Sequence, residues 1–226
     1  MTPQPVSPAM RRFIVSVDHA VMFIARHWLL IANVSLFVFI GLPFLAPILM
    51  HYGYTGPAEL IYRTYKLTCH QLAYRSFFLF GQQSAYTIDQ LRALLSVHNE
   101  DFLYWTFFQG NLVLGYKMAW CERDAAIYGS MLISSLIFGL VRTRVKPLDW
   151  RLYLVLMTPM AIDGFTQLFG WRESTYELRV ITGVLFGVGS VWTLFPHLEM
   201  AMREAAGLAQ TQWEHARAHE AALRAR

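Results

Sequence analysis

Apolar residues in this chain fall into long runs separated by shorter polar segments. Four runs approach or exceed the roughly 20 apolar residues that a helix needs to cross a bilayer. They cover residues 28–50, 125–141, 152–171 and 180–197. Pro43 and Pro47 interrupt the first run, and prolines are tolerated in membrane helices where neighbouring groups satisfy the carbonyls that they free. The pattern therefore predicts an all-α polytopic membrane protein with about four transmembrane helices.

The remaining segments divide the chain into three parts. Residues 1–27 carry apolar positions at helical spacing and predict a cytoplasmic amphipathic segment that leads into the first span. Residues 28–197 form a four-span membrane domain, and residues 198–226, rich in Ala, Arg and Glu, predict a cytoplasmic helix. The membrane domain includes an outer loop over residues 51–124, which is too long to lack structure of its own.

Three local patterns predict finer structure. Thr87 is followed three residues later by Gln90, which is the pattern of a helix N-terminus with a capping box. Residues 112–120 are apolar apart from Lys117, and they predict a shallow or re-entrant element. In the fourth run, the G-x-x-x-G spacing over residues 183–187 permits close contact with a neighbouring helix.

The placement of basic residues predicts the orientation. They cluster before the first run, between the second and third runs and after the fourth, at Arg11, Arg12, Arg26, Arg142, Arg144, Lys146, Arg151, Arg203, Arg217, Arg224 and Arg226. Lys and Arg in short flanks mark the cytoplasmic side, so both termini are expected in the cytoplasm and the loop 51–124 outside the cytoplasmic membrane. The net charge of +4 thus reflects topology. The lipid bilayer is the expected partner, and nucleic acid is not.

Asp163 is the only formally charged residue in the third run. A carboxylate at the centre of a membrane helix costs roughly 2.5–3.5 kcal/mol on insertion scales, so it normally has a task or a partner. Gln167 follows at i+4 and shares its helical face. Asp163 is therefore a candidate catalytic base. The alternative is a structural hydrogen bond to a neighbouring helix, through Tyr128, Ser134 or Ser135.

The two cysteines of the chain, Cys69 and Cys121, both lie in the outer loop. Three interpretations remain open. They form a disulfide on the oxidising side of the membrane, they bind zinc or another divalent metal together with His70 and Asp124, or they are unlinked thiols. The other histidines show no paired placement inside the apolar runs, so a membrane haem is not expected.

Several motifs of this chain resemble those of a known protein family. They are Cys69-His70-Gln71 with Arg75-Ser76-Phe77, then Cys121-x-Arg123 leading into Ile127-Tyr128-Gly129, and finally Asp163-Gly164-x-x-Gln167 followed by Ser174, Arg179 and Thr182-Gly183. This set is similar to a prokaryotic family of predicted integral membrane proteins without an assigned function. Many members have a cysteine where this chain has Asp124, and most have a shorter connection between the cysteine motifs. The resemblance implies a fold and a list of positions, but no reaction.

Together these positions predict a polar cleft that opens outward between the second, third and fourth spans. In an enzyme acting on a lipid or lipid-linked anionic substrate, the substrate-binding residues would be Arg75, Arg123, Arg179 and Gln167. Arginine suits this role because its planar fork binds phosphate in a bidentate manner. Asp163 or His70 would then act as the base. The alternative is a non-enzymatic accessory, assembly or solute-binding subunit of a membrane complex, and a third class is a thiol redox protein.

Overall fold

The computed structural model describes residues 8–97 and 101–224. In chain order the elements are helix α1 (Pro8–His51), helix α2 (Thr55–Tyr65), a 3-10 turn (Ala73–Arg75), strand β1 (Phe78–Leu79), helix α3 (Ile88–Leu95), helix α4 (Phe102–Phe107), strand β2 (Gly110–Asn111), strand β3 (Gly115–Lys117), helix α5 (Glu122–Val141), helix α6 (Trp150–Leu168) and helix α7 (Tyr176–Arg224). The fold is therefore mostly helical, as the apolar runs predicted.

Three helices in the described part of the chain are long and apolar enough to cross a membrane. They are Phe13–His51 within α1, Glu122–Val141, which is α5, and Tyr176–His215 within α7. Helix α6 coincides with the third apolar run but is not one of the three, because polar residues such as Thr158, Asp163 and Gln167 lower its hydropathy. A polytopic membrane protein is confirmed, with three helices that qualify as candidate spans by length and hydropathy.

Helix α7 is central, since it packs against α1, α5 and α6. Successive long helices run in opposite directions. The segment between α1 and α5 and the link between α6 and α7 therefore lie at one end of the bundle, which we call the loop face. The link between α5 and α6 lies at the opposite end, the tail face, together with the outer parts of α1 and α7. Trp28 marks the tail face by donating a hydrogen bond to Glu199 at 2.9 Å.

Helices α1 and α7 extend beyond the thickness of a bilayer. With 44 and 49 residues they are about 66 and 73 Å long at 1.5 Å per residue, against about 30 Å for the hydrocarbon core. Their outer parts meet where Arg26 donates a hydrogen bond to the side-chain oxygen of Gln210 at 3.1 Å and where the ring centroids of His19 and Trp213 lie 6.0 Å apart. The two terminal segments predicted from sequence are thus continuations of α1 and α7. Residues 1–7 and 225–226 of these segments lie outside the described residues.

Four prolines lie inside the long helices, and each removes the donor for the carbonyl four residues earlier. Three of the freed carbonyls accept a hydrogen bond from a connecting segment. Tyr65 Oη donates to Phe39 O at 2.7 Å. Backbone N–H groups serve the other two, Ala119 N to Pro43 O at 3.2 Å and Leu148 N to Trp192 O at 3.0 Å. The connecting segments are thereby attached to α1 and α7.

The close contact predicted for Gly183 and Gly187 is confirmed. A Cβ atom on Gly183 would lie 3.0 Å from the Arg123 carbonyl oxygen. A Cβ atom on Gly187 would lie 2.1 Å from Ser130 Oγ and 2.4 Å from the Ile127 carbonyl oxygen. Helices α5 and α7 therefore approach each other so closely that only glycine fits at residue 187.

The outer loop contains a small antiparallel sheet that the sequence did not predict. Its strand order is β1-β3-β2, with Phe78 opposite Lys117 and Gly110 opposite Tyr116. Residues 112–120, for which a shallow or re-entrant element was predicted, thus contribute the β2–β3 turn and strand β3. The helix predicted at Thr87 is present as α3, with both hydrogen bonds of the capping box.

Lys117 is fully buried and holds this loop together. Its ammonium group donates to the carbonyl oxygen of Gln71, in the segment after α2, and to those of Thr106 (2.8 Å) and Trp105 (3.4 Å) in α4, so it joins two segments of the loop. Burial lowers the pKa of Lys117 from 10.5 to about 7. This buried donor replaces the water that the three carbonyls would otherwise bind.

We expect Gly187→Ala to destabilise the bundle, because the new methyl group overlaps the backbone of α5. Overpacking of this kind costs roughly 1–3 kcal/mol. Gly207→Ala is the matched control, since Gly207 lies in the same helix with nothing within 4 Å of its Cβ position, and alanine there improves helix propensity by about 1 kcal/mol. Thermal unfolding in detergent, followed by loss of helical circular dichroism, compares them. Equal melting temperatures for both variants would refute the close approach.

We expect Lys117→Met to lower stability by at least about 1–3 kcal/mol, the cost of one buried acceptor without a donor. The control is Lys66→Met, which removes a cation–π contact with Phe107 worth about 0.5–1 kcal/mol and a charge repulsion that helps to lower the pKa of Lys117. Between pH 7 and 10.5 the unfolded chain holds the Lys117 proton and the folded chain does not. The contribution of Lys117 therefore grows with pH in that range. Melting curves at several pH values check both points, and an unchanged Lys117→Met curve would contradict them.

Candidate functional site

Asp163 lies at the loop face and is 1 % exposed. Its carboxylate accepts hydrogen bonds from Arg123 in the first turn of α5, from Arg172 Nη2 at 2.6 Å and from Ser174 Oγ at 2.9 Å. The last two residues belong to the short link between α6 and α7. The predicted structural partners of Asp163 were Tyr128, Ser134 and Ser135, and the structure gives it two arginines and a different serine instead.

A second carboxylate, Glu173, gathers the other predicted substrate-binding residues. It accepts hydrogen bonds from Arg75 Nε at 2.9 Å, from Gln167 Nε2 at 3.0 Å and from Arg179 Nη2 at 2.9 Å. Arg179 also donates through Nη1 to Glu122, in the first turn of α5, at 2.9 Å. The structure therefore brings together all the arginines proposed from sequence, and each of them is paired with a carboxylate.

Three members of this network were not predicted from the sequence: Glu122, Arg172 and Glu173. One signal was available, because charged residues in a short link between apolar runs lie next to the ends of two helices. Their pairing partners could not be predicted from the sequence, because each ion pair joins different elements of the chain. Residue pairing of this kind depends on which helix faces meet.

An apolar groove leads to Asp163 along the surface between α6 and α7. It encloses about 500 Å³ and is lined by Val155, Thr158, Pro159, Ile162, Asp163, Arg172 and Leu178. Arg172 is the most exposed arginine of the network, with 40 % of its side chain accessible. The polar end of the groove thus carries an accessible guanidinium group.

A separate cavity of about 560 Å³ lies between the start of α3 and the start of α7. Its charged lining residues are Asp89, Glu122, Glu173, Glu177 and Arg179. Four carboxylates against one guanidinium group disfavour an anionic ligand there. This cavity is therefore acidic, whereas the groove beside α6 is not.

The two cysteines come together although 52 residues separate them. Cys121 N donates to Cys69 Sγ at 3.3 Å, and Cys121 Sγ donates to Asp124 Oδ2 at 3.1 Å. The two sulfur atoms and a carboxylate oxygen of Asp124 all lie within 4.8 Å of one another. Hydrogen bonding to Cys69, together with burial and the Asp124 charge, raises the pKa of the Cys121 thiol.

Both cysteines are free thiols in the structure. Cys69 is buried in an aromatic cluster that includes Tyr65 and Trp120, and Cys121 packs against the same cluster. His70 does not belong to the group formed by the two thiols and Asp124. Its side chain is exposed and its ring contacts Phe102, with 5.6 Å between the ring centroids. The structure therefore places His70 outside the thiol group, and the side chains that bind Asp163 are Arg123, Arg172 and Ser174.

Comparison with known proteins places the chain in a family. The family model described as "Predicted membrane protein (DUF2085)" matches residues 109–193. The uncharacterized protein MJ1492 of Methanocaldococcus jannaschii is 31% identical over 179 residues, which cover 76% of this chain and 92% of that protein. An uncharacterized protein of Methanothermobacter thermautotrophicus is 37% identical over 75 residues, 33% of this chain and 68% of that protein. No solved structure matches.

The similarity to the first relative extends over most of both chains, and the family model covers the segment from strand β2 to the middle of α7. This chain therefore belongs to the DUF2085 family of predicted membrane proteins.

Proposed function

We propose that this membrane protein binds a lipid with an anionic phosphate head group in the groove between α6 and α7. The observation that carries the proposal is the charge at the polar end of the groove. Arg123 and Arg172 contribute +2 and Asp163 contributes −1, so the ion cluster has a formal charge of +1. A phosphate at the polar end of the groove would complete the balance.

The head group would bind at Arg172. Its guanidinium group contacts Asp163 through one terminal nitrogen, and arginine carries five N–H donors in a fixed fork. The remaining donors suit a phosphate, because charge-assisted pairs of this type are among the strongest hydrogen bonds in proteins. Asp163 orients the guanidinium group. Since Asp163 already accepts from three side chains, this positioning role fits its contacts better than the role of general base predicted from its isolation in the sequence.

The lipid chain would follow the apolar wall of the groove. From Asp163 back to Val155 the groove runs along two turns of α6, or about 12 Å, towards the tail face. Phe165, Phe169 and Trp171 lie exposed at the loop end of α6, where aromatic residues commonly mark the head-group level of a membrane. A phosphate beside Arg172 and an acyl chain beside Val155 would thus lie at the membrane depths expected of a lipid's head group and of its acyl chain.

Pro159 adds one polar feature to the wall. It frees the carbonyl of Val155, which lines the groove. Within the described residues, no segment outside α6 donates a backbone hydrogen bond to this carbonyl.

The second candidate function is a non-enzymatic role in which the network only holds the helices together. The pairing of Arg75, Arg123, Arg172 and Arg179 with carboxylates favours it. These pairs tie α5, α6, α7 and the outer loop to one another. The two candidates differ at Arg172, whose partly exposed side chain matters for a lipid but adds little to a structural tie.

We expect Arg172→Ala to weaken the binding of phosphatidic acid by about 10–100-fold, the equivalent of one charge-assisted hydrogen bond. Arg75→Ala is the control, since it removes an arginine from the network without touching the groove. Native mass spectrometry of the detergent-solubilised protein with phosphatidic acid or phosphatidylcholine measures the affinities. Equal binding of the two lipids, or equal affinities of the two variants, would favour the structural role.

We expect Asp163→Asn to destabilise the bundle by about 3–5 kcal/mol, because two arginines lose their buried counter-charge while the side chain keeps its shape. Glu173→Gln is the matched control. Its carboxylate is 55% exposed, and an exposed ion pair is worth about 0–1 kcal/mol. Thermal unfolding in detergent compares the two amides. A larger loss for Glu173→Gln than for Asp163→Asn would contradict the order of burial.

A further inference from the structure

We propose that Cys69, Cys121 and Asp124 bind a thiophilic divalent cation of the Zn²⁺ class at the loop face. Two sulfur atoms and one carboxylate oxygen, all within 4.8 Å of one another, supply three ligands of the kinds that zinc prefers. This site does not depend on the lipid groove. Its ligands come from the start of α5 and from the segment after α2, whereas the groove lies on α6.

The local structure aims the ligands at one point. Cys121 is the N-cap residue of α5 and Asp124 lies three residues later, so both side chains stand over the first turn of the helix. The Asp124 backbone N–H points at Cys121 Sγ, with 3.4 Å between the atoms. Cys69 approaches from the other side, where the Cys121 backbone N–H donates to its sulfur.

The distances suit a tetrahedral ion. With Zn–S bonds of about 2.3 Å, two ligand atoms on a tetrahedron lie about 3.7 Å apart. The observed group, at up to 4.8 Å, would therefore need to contract by about 1 Å. Rotation of the thiol and carboxylate side chains covers such a distance, and the loop backbone is already fixed by the hydrogen bond from Ala119 to Pro43.

The number of ligands indicates what the ion would do. Structural zinc sites are usually closed by four protein ligands, whereas sites with three keep a position for water or a substrate. His70 is next to Cys69 in sequence, but its exposed ring faces Phe102 and not this group. The ion would thus keep one open coordination position.

Titration of the reduced, tag-free protein in detergent with Co²⁺ and then Zn²⁺ tests the site. We expect one Co²⁺ per chain, a thiolate-to-cobalt charge-transfer band and its loss when Zn²⁺ is added. Cys69→Ser and Cys121→Ser should each weaken binding by more than about 100-fold, beyond the 10–100-fold typical of outer-shell groups. His70→Ala is the matched control and should bind like the unmodified protein.

The variant Asp124→Cys tests the proposal even if a serine variant fails to fold. A third thiolate should retain binding and strengthen the charge-transfer band, and a misfolded protein would not show such a gain. The proposal is overturned if the reduced protein shows no thiolate band at stoichiometric Co²⁺. It is also overturned if the two serine variants bind as tightly as His70→Ala, or if Asp124→Cys leaves the band unchanged.

Discussion

A proline inside a membrane helix leaves the carbonyl four residues earlier without its N–H donor, and hydrocarbon offers no water in exchange. Each such carbonyl is therefore a fixed acceptor, and three of the four in this protein are reached by another part of the chain. In this protein Phe39 O is served by Tyr65, Pro43 O by Ala119 and Trp192 O by Leu148. The end of α2 and two irregular segments are thus held against the long helices at defined heights. The first two attachments hold the segment between α1 and α5, and the third holds the link between α5 and α6.

The thiol pair follows from two of these attachments. Phe39 and Pro43 are one turn apart on α1, so the segments that bind them are held side by side. One segment ends in Cys69, four residues after Tyr65, and the other continues from Ala119 into Cys121. Residues far apart in sequence are therefore brought within hydrogen-bond distance by prolines in a third element. Lys117 stabilises the arrangement because its ammonium group binds the carbonyl oxygen of Gln71, two residues after Cys69, and that of Thr106 in α4.

The parts of the fold that sequence predicted depend on local patterns. The apolar runs, the capping box at Thr87 and the small residues at Gly183 and Gly187 each act over a few neighbouring positions. The three-stranded sheet was not predicted because its strands are two or three residues long, too short to show an alternation of apolar and polar residues. The partners of Asp163 were missed because they depend on how α5, α6 and the following link meet. Proline showed where donors were needed in α1, but the donors lie 26 and 76 residues away.

The first turn of α5 connects these features. Successive side chains on a helix point about 100° apart, and here three neighbours reach three partners: Glu122 binds Arg179, Arg123 binds Asp163, and Asp124 meets Cys121. A shift of one residue in this helix would break the contacts of Glu122 and Arg123 and would move Cys121 away from Cys69. The close approach at Gly187 opposes such a shift, because only glycine fits against Ile127 and Ser130. The packing of α5 on α7 therefore sets the register on which both the arginine cluster and the thiol group depend.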